Sequence, residues 1–197
     1  GAMWNFTVDG MGYFVHNPCS SSIATNKTWQ GVSCSQTPHT CSSQTCHVTQ
    51  IDLTSYGMSG SIPVDIRGLS FLELLRLDDN QLTGPIPGAV GDLTNLSHLS
   101  VYFNQLTGSI PPEIGQLEAL TYLNLISNSL TGIIPSEVGE LNSLVSLHIA
   151  RTSVRGTIPS EVGLLTSLEV FNLYSNQLTG TIPDEVGQLT ALEQLAL

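Results

Sequence analysis

The side chains able to do chemistry fall into two groups. The first precedes residue 48 and holds all four cysteines, Cys19, Cys34, Cys41 and Cys46, with His39 and His47 beside them. Thiolates and imidazoles this close could hold zinc, but Cys34, His39, Cys41, Cys46 and His47 match no standard finger spacing. An even number of cysteines gathered at one end reads instead as disulfides. Three connectivities are open. Cys19–Cys34 with Cys41–Cys46 closes the short loops and is preferred; a loop of about 15 residues contributes about 3 kcal/mol in the chain-entropy model. Disulfides imply an oxidising compartment. The glycosylation sequons at Asn5, Asn26 and Asn95 point the same way.

The second group runs from His98 to Tyr174. His98 and His148 are candidate bases, yet no serine or thiol is placed beside them to be a nucleophile. The glycines recur with the coil bend and leave no free loop to cradle phosphate. The chain therefore reads as a non-enzyme, with no metal and no cofactor. What remains is binding chemistry. Tyr102, Phe103, Tyr122, Ile126 and Tyr174, with the two histidines, supply the kind of surface from which hot spots are made. Arg151 offers a fork for a carboxylate or sulfate. Arg155 stands where Thr83, Thr107, Thr131 and Thr179 otherwise recur.

Residues this far apart can cooperate only if the fold aligns them, and a period of 24 does so. Asn80, Asn104, Asn128 and Asn176 keep that spacing or its multiples, as do Gly84, Gly108 and Gly132, and Pro87, Pro111 and Pro135. A fixed period of this length means stacked supersecondary units, none able to bury its apolar face alone. Leu99 and Val101 alternate as a half-buried strand does. Asn104 and Gly108 follow at once and end it. The return from Pro112 to Leu120 is too short for a long helix and predicts a helical or 3₁₀ turn. Stacked strands then form a parallel sheet with roughly 4.8 Å between neighbours. Asn80, Asn104, Asn128 and Asn176 are expected to form a structural ladder, bonding backbone groups otherwise stranded inside the coil. Tyr56 and Thr152 occupy the same column and cannot reproduce the amide.

Outward-facing residues should line up in columns. One runs Gln50, Leu74, His98, Tyr122, Ser146, Val170; a second Asp52, Arg76, Ser100, Asn124, His148, Asn172. A third runs Thr54, Asp78, Tyr102, Ile126, Ala150, Tyr174, and a fourth Ser55, Asp79, Phe103, Ser127, Arg151, Ser175. The site residues thus gather mid-sheet. Arg76 is expected to pair with the acids around it, leaving Arg151 as the better polar contact.

Composition sets limits. Of 197 residues 41% are hydrophobic and 11% charged, which is globular. A net charge of −11 argues against nucleic acid and anionic membrane, both of which need a basic face. Gly1-Ala2-Met3 reads as the remnant of a removed tag. Residues 4–47 fall outside the period and should form an N-terminal cap, while 48–197 hold about six and a half coils. The chain ends inside a strand, so a longer protein is expected. A membrane connection would come only through that missing region, and the open last coil leaves room for a homodimer or a co-receptor.

Leu69, Leu72, Leu75, Leu77, Asn80, Leu82, Gly84, Ile86, Pro87, Val90 and Gly91 follow one another as L-x-x-L-x-x-L-x-L-x-x-N-x-L-x-G-x-I-P-x-x-φ-G. This resembles the plant-type leucine-rich repeat, and Trp29-Gln30-Gly31-Val32-Ser33-Cys34 resembles the motif in that family's N-terminal cap. The resemblance implies an α/β solenoid: a right-handed superhelix with a concave parallel sheet and a disulfide-stabilised cap. It implies an extracellular recognition domain, secreted or at the cell surface, binding a protein, peptide or glycan. A receptor ectodomain is the leading expectation. A secreted inhibitor of a cell-wall hydrolase would use the same surface. A structural or ice-binding role would instead use the Thr83, Thr107, Thr131, Thr179 edge, which Pro85, Ile133 and Arg155 interrupt.

Overall fold

The computed structural model describes residues 31–34 and 47–197. Most of the expected cap, the cysteine side chains and the sequons at Asn5 and Asn26 lie outside the described residues. Eight strands form the main sheet: β1 (Val32–Cys34), β2 (Val48–Asp52), β3 (Leu74–Arg76), β4 (His98–Ser100), β5 (Tyr122–Asn124), β6 (Ser146–His148), β7 (Val170–Asn172) and β8 (Gln194–Ala196). Their order in space is their order in sequence. β1 pairs antiparallel with β2, and every later pair is parallel. The register is one whole coil at each step, so Leu75 lies beside Leu99, Leu123, Leu147 and Phe171.

The inward rows explain why. Leu75 and Leu77, Leu99 and Val101, Leu123 and Leu125, Leu147 and Ile149, and Phe171 and Leu173 are all at most 1% exposed. Each fully buried leucine contributes about 1.5–3 kcal/mol. A slip of one residue would turn this row to solvent.

The return path is 3₁₀ throughout the described residues, so the helical layer expected of an α/β solenoid contains no α-helix there. Each turn is five residues long and follows a proline, as in Pro112–Gln116 after Pro111. The proline presets the extended entry, and Ile114 N–H bonds Pro111 O at 3.1 Å. A β-carbon at Gly115 would stand 2.5 Å from Glu137 O of the next coil. That contact, more than flexibility, requires the glycine there. On the opposite flank Gly108 has φ +79°, where a side chain would be strained. Beside it short parallel strands, Ser59–Gly60, Gln81–Pro85 and Gln105–Thr107, form a second small sheet.

The asparagine column closes the coil from inside. Asn128 Oδ1 accepts from Leu106 N–H at 3.0 Å, and its Nδ2 donates to Val101 O and Leu125 O at 3.0 and 3.1 Å. Asn80 and Asn104 repeat the pattern, accepting from Met58 N–H and Leu82 N–H. Asn176 donates to Ile149 O and Leu173 O. At Thr152 the ladder changes hands: the hydroxyl donates to Asn176 Oδ1 and accepts from Val154 N–H at 3.4 Å.

Candidate ligand-binding face

The parallel register places the sheet's outward residues in the columns expected from the period, with two corrections. Ser100 and Ala150 are 1% and 0% exposed. Their side chains are too short to emerge between larger column neighbours, Arg76 and Asn124 in one case, Ile126 and Tyr174 in the other.

The aromatic residues separate into two clusters. In the first, His98 and Tyr122 on adjacent strands stack with centroids 4.3 Å apart and planes 5° off parallel. His148 lies diagonally beyond, 5.4 Å from Tyr122 and tilted by 51°. Asn124 Nδ2 donates to the Tyr122 hydroxyl at 3.1 Å and fixes the ring's edge. Tyr122 is held between two imidazoles, so this ladder offers ring edges and nitrogens to solvent more than π faces. Burial lowers the pKa of both imidazoles; at His98 the Arg76 charge adds to it, opposed by Asp78 and Asp52. Both rings are therefore neutral near pH 7. His148 Nδ1 is buried without a hydrogen-bond partner in the described structure.

Tyr102 and Phe103 form the second cluster, 5.8 Å apart and tilted by 43°, with 40% and 55% of their surfaces exposed. They edge a shallow depression completed by Thr54, Ser55, Asp78 and Asp79. Ile126 and Tyr174 are half-buried and make no ring contact among the described residues. Arg151 is exposed and, like Arg155, forms no ion pair among the described residues. Asn95 is exposed on the flank, where its Nδ2 donates to Ser70 O at 2.7 Å.

Arg76 is held as its neighbours require. Its guanidinium meets Asp52 at 3.0 Å and Asp78 at 3.9 Å. Burial works to raise the Asp52 pKa, but bonds from Thr54 and the Arg76 charge outweigh it and leave it lowered. Asp78 also accepts from the Ser100 hydroxyl and from Tyr102 N–H. Asp79 does not join them; it accepts from the Ser55 hydroxyl at 2.7 Å. Reading Asp79 only as a neighbour of Arg76 missed this. Its place in the fourth column, beside Phe103, was the available signal.

This regular repeat frame matches known family models. Residues 103–197 match the model described as leucine-rich repeat region, and residues 71–93 match leucine rich repeat. The chain belongs to the leucine-rich-repeat family, of the plant type. A probable leucine-rich repeat receptor-like serine/threonine-protein kinase of Arabidopsis thaliana is 37% identical over 84 residues, covering 40% of this chain and 7% of the kinase. The ectodomain of the Arabidopsis receptor kinase GASSHO1/SCHENGEN3, solved with CASPARIAN STRIP INTEGRITY FACTOR 2, is 40% identical with a TM-score of 0.72, over 74% of this chain and 18% of that one. The Arabidopsis HAESA ectodomain, solved with an extended IDA peptide hormone, is 31% identical with a TM-score of 0.73, over 87% and 32%. A plant ice-binding protein is 29% identical with a TM-score of 0.72, over 81% and 50%. This leucine-rich-repeat chain thus spans well under a third of the kinase relative and of the first of these ectodomains.

Proposed function

We propose that this leucine-rich-repeat domain is the recognition part of an extracellular receptor, and that it binds a peptide, protein or glycan on the outward, concave face of its main sheet. One observation carries the reading. His98, Tyr122 and His148 stand on successive strands of one parallel sheet, and Tyr102, Phe103 and Tyr174 follow the ends of its strands; a solvated structural face would need none of these rings. The similarity to receptor-kinase ectodomains, one solved with a peptide hormone, supports recognition over catalysis. Arg151, in no ion pair among the described residues, would take an anionic group of the ligand.

Replacing Tyr102, Tyr122 and Tyr174 together with alanine should abolish ligand binding without lowering the melting temperature much. An unaltered affinity would remove the site from this face. An inhibitor of a cell-wall hydrolase would bind through the same rings, and enzyme inhibition assays separate the two.

A second reading is favoured by the flank. Thr83, Thr107 and Thr131 are exposed in successive coils, with Thr179 two coils on past Arg155, and the hydroxyls at 83, 131 and 179 meet the preceding coil's glycine carbonyl at 3.3–3.4 Å. Such a flat row, on a chain similar to an ice-binding protein, could meet ice. Thermal hysteresis in solution would support this reading; its absence ends it.

A further inference from the structure

One position in every coil adopts a left-handed backbone: Ser55, Asp79, Phe103, Ser127, Arg151 and Ser175, all with φ between 51° and 60°. Short polar residues tolerate this region because their side chains can bond locally. Ser55 and Asp79 do so with each other. Phe103 and Arg151 cannot, and bulky side chains there are true outliers. Burial does not offset the strain either, since Phe103 is 55% exposed and Arg151 is exposed as well. The fold itself requires this turn, whose N–H donates to the next coil, as from Phe103 to Ile126 O and from Arg151 to Tyr174 O at 3.0 Å. It does not require bulky exposed side chains on the turn, and their presence at two positions of one ridge points to contacts kept for a ligand.

We propose that this ridge reads an extended peptide by a basic side chain at one end and an acidic group at the other. The inference rests on the recognition reading above and gives it a ligand chemistry. The basic end is the depression beside Tyr102 and Phe103. Of its two carboxylates, Asp78 is committed to Arg76, Ser100 and the Tyr102 amide. Among the described residues Asp79 answers only the Ser55 hydroxyl and meets no cation. An unpaired carboxylate flanked by two exposed aromatic faces fits a lysine or arginine side chain through ion pairing and cation–π contact. The acidic end is Arg151. Backbone bonds tie the successive coils directly, Asn80 N–H to Phe103 O, Phe103 N–H to Ile126 O, and Ser127 N–H to Ala150 O. Asp79 and Arg151 are therefore three strand spacings apart, roughly 14 Å, which four residues of an extended strand also span. Residues four apart in a strand face the same way. The ligand would carry its base and its acid at that interval, with the side chain between them over Phe103 and Ser127.

A displayed random library of peptides about nine residues long, panned on this chain, tests the idea. Enrichment of Lys or Arg four positions from Asp or Glu is expected. Asp79→Asn should weaken an enriched peptide about threefold to fivefold, the scale of a lost exposed ion pair with the cation–π contact to the rings kept. Asp79→Lys should turn the preference at that position to acids. Phe103→Gly should also weaken binding while leaving the melting temperature unchanged or higher, because it relieves the left-handed strain. Peptides without that charge pair, lost on Tyr122→Ala but kept on Asp79→Asn, would overturn the ridge and leave the recognition reading standing. No enrichment at all would overturn both.

Discussion

Asn128 and Asn104 occupy equivalent places in neighbouring coils, yet replacing each by alanine should not have the same effect. Asn104→Ala strands one backbone group. Leu82 N–H loses its acceptor, while Leu77 O keeps its bond from Asn80 and Val101 O keeps its bond from Asn128. Asn128→Ala strands two. Leu106 N–H loses its acceptor, and Leu125 O loses its donor as well, because the next coil has Thr152 in place of an amide. Each buried group left unsatisfied costs about 1–3 kcal/mol. Asn104→Ala should therefore cost about 2 kcal/mol and Asn128→Ala about 4. Urea unfolding followed by circular dichroism would read both, with the m-value held constant. Equal losses, within about 0.5 kcal/mol, would refute the reasoning, since they would mean that each amide acts alone instead of covering its neighbour's carbonyl.

The same ladder predicts that Thr152→Asn stabilises the fold by about 1 kcal/mol, by giving Leu130 N–H the acceptor that Asn128 Oδ1 gives Leu106 N–H; an unchanged midpoint would count against it. Gly115→Ala should cost about 2 kcal/mol or more in the same urea titration, because its β-carbon would meet Glu137 O at 2.5 Å. Stability should also fall as the pH drops from about 7 to about 5. The folded His98 and His148 have lowered pKa values against the ordinary 6.5. The unfolded chain therefore takes up protons first, and the stability present above 6.5 is lost as pH falls toward the folded values. His148→Gln should flatten that pH profile, and an unchanged slope would show that burial of this ring is not linked to folding.

Much of the fold was legible because a repeat states its contacts many times. Once Leu77, Val101 and Leu125 are read as one row, the parallel register, the proline-led turns and the asparagine ladder follow from spacing and residue type. The candidate face was legible at the level of columns. Its inner grouping was not. Nothing in the letters separates His98, Tyr122 and His148 from Tyr102 and Phe103, or hides Ser100 and Ala150 between longer neighbours.

The sequence by itself determined the period, the buried rows and which residues share a column, because those depend only on which positions one turn of the coil brings around. Tertiary structure alone decided how side chains in adjoining columns meet: which aspartates hold Arg76, which one meets Ser55 instead, and where a left-handed backbone carries Phe103 and Arg151. Those choices turn on rotamers, distances of a few ångströms and competition among neighbours, which a one-dimensional pattern does not encode.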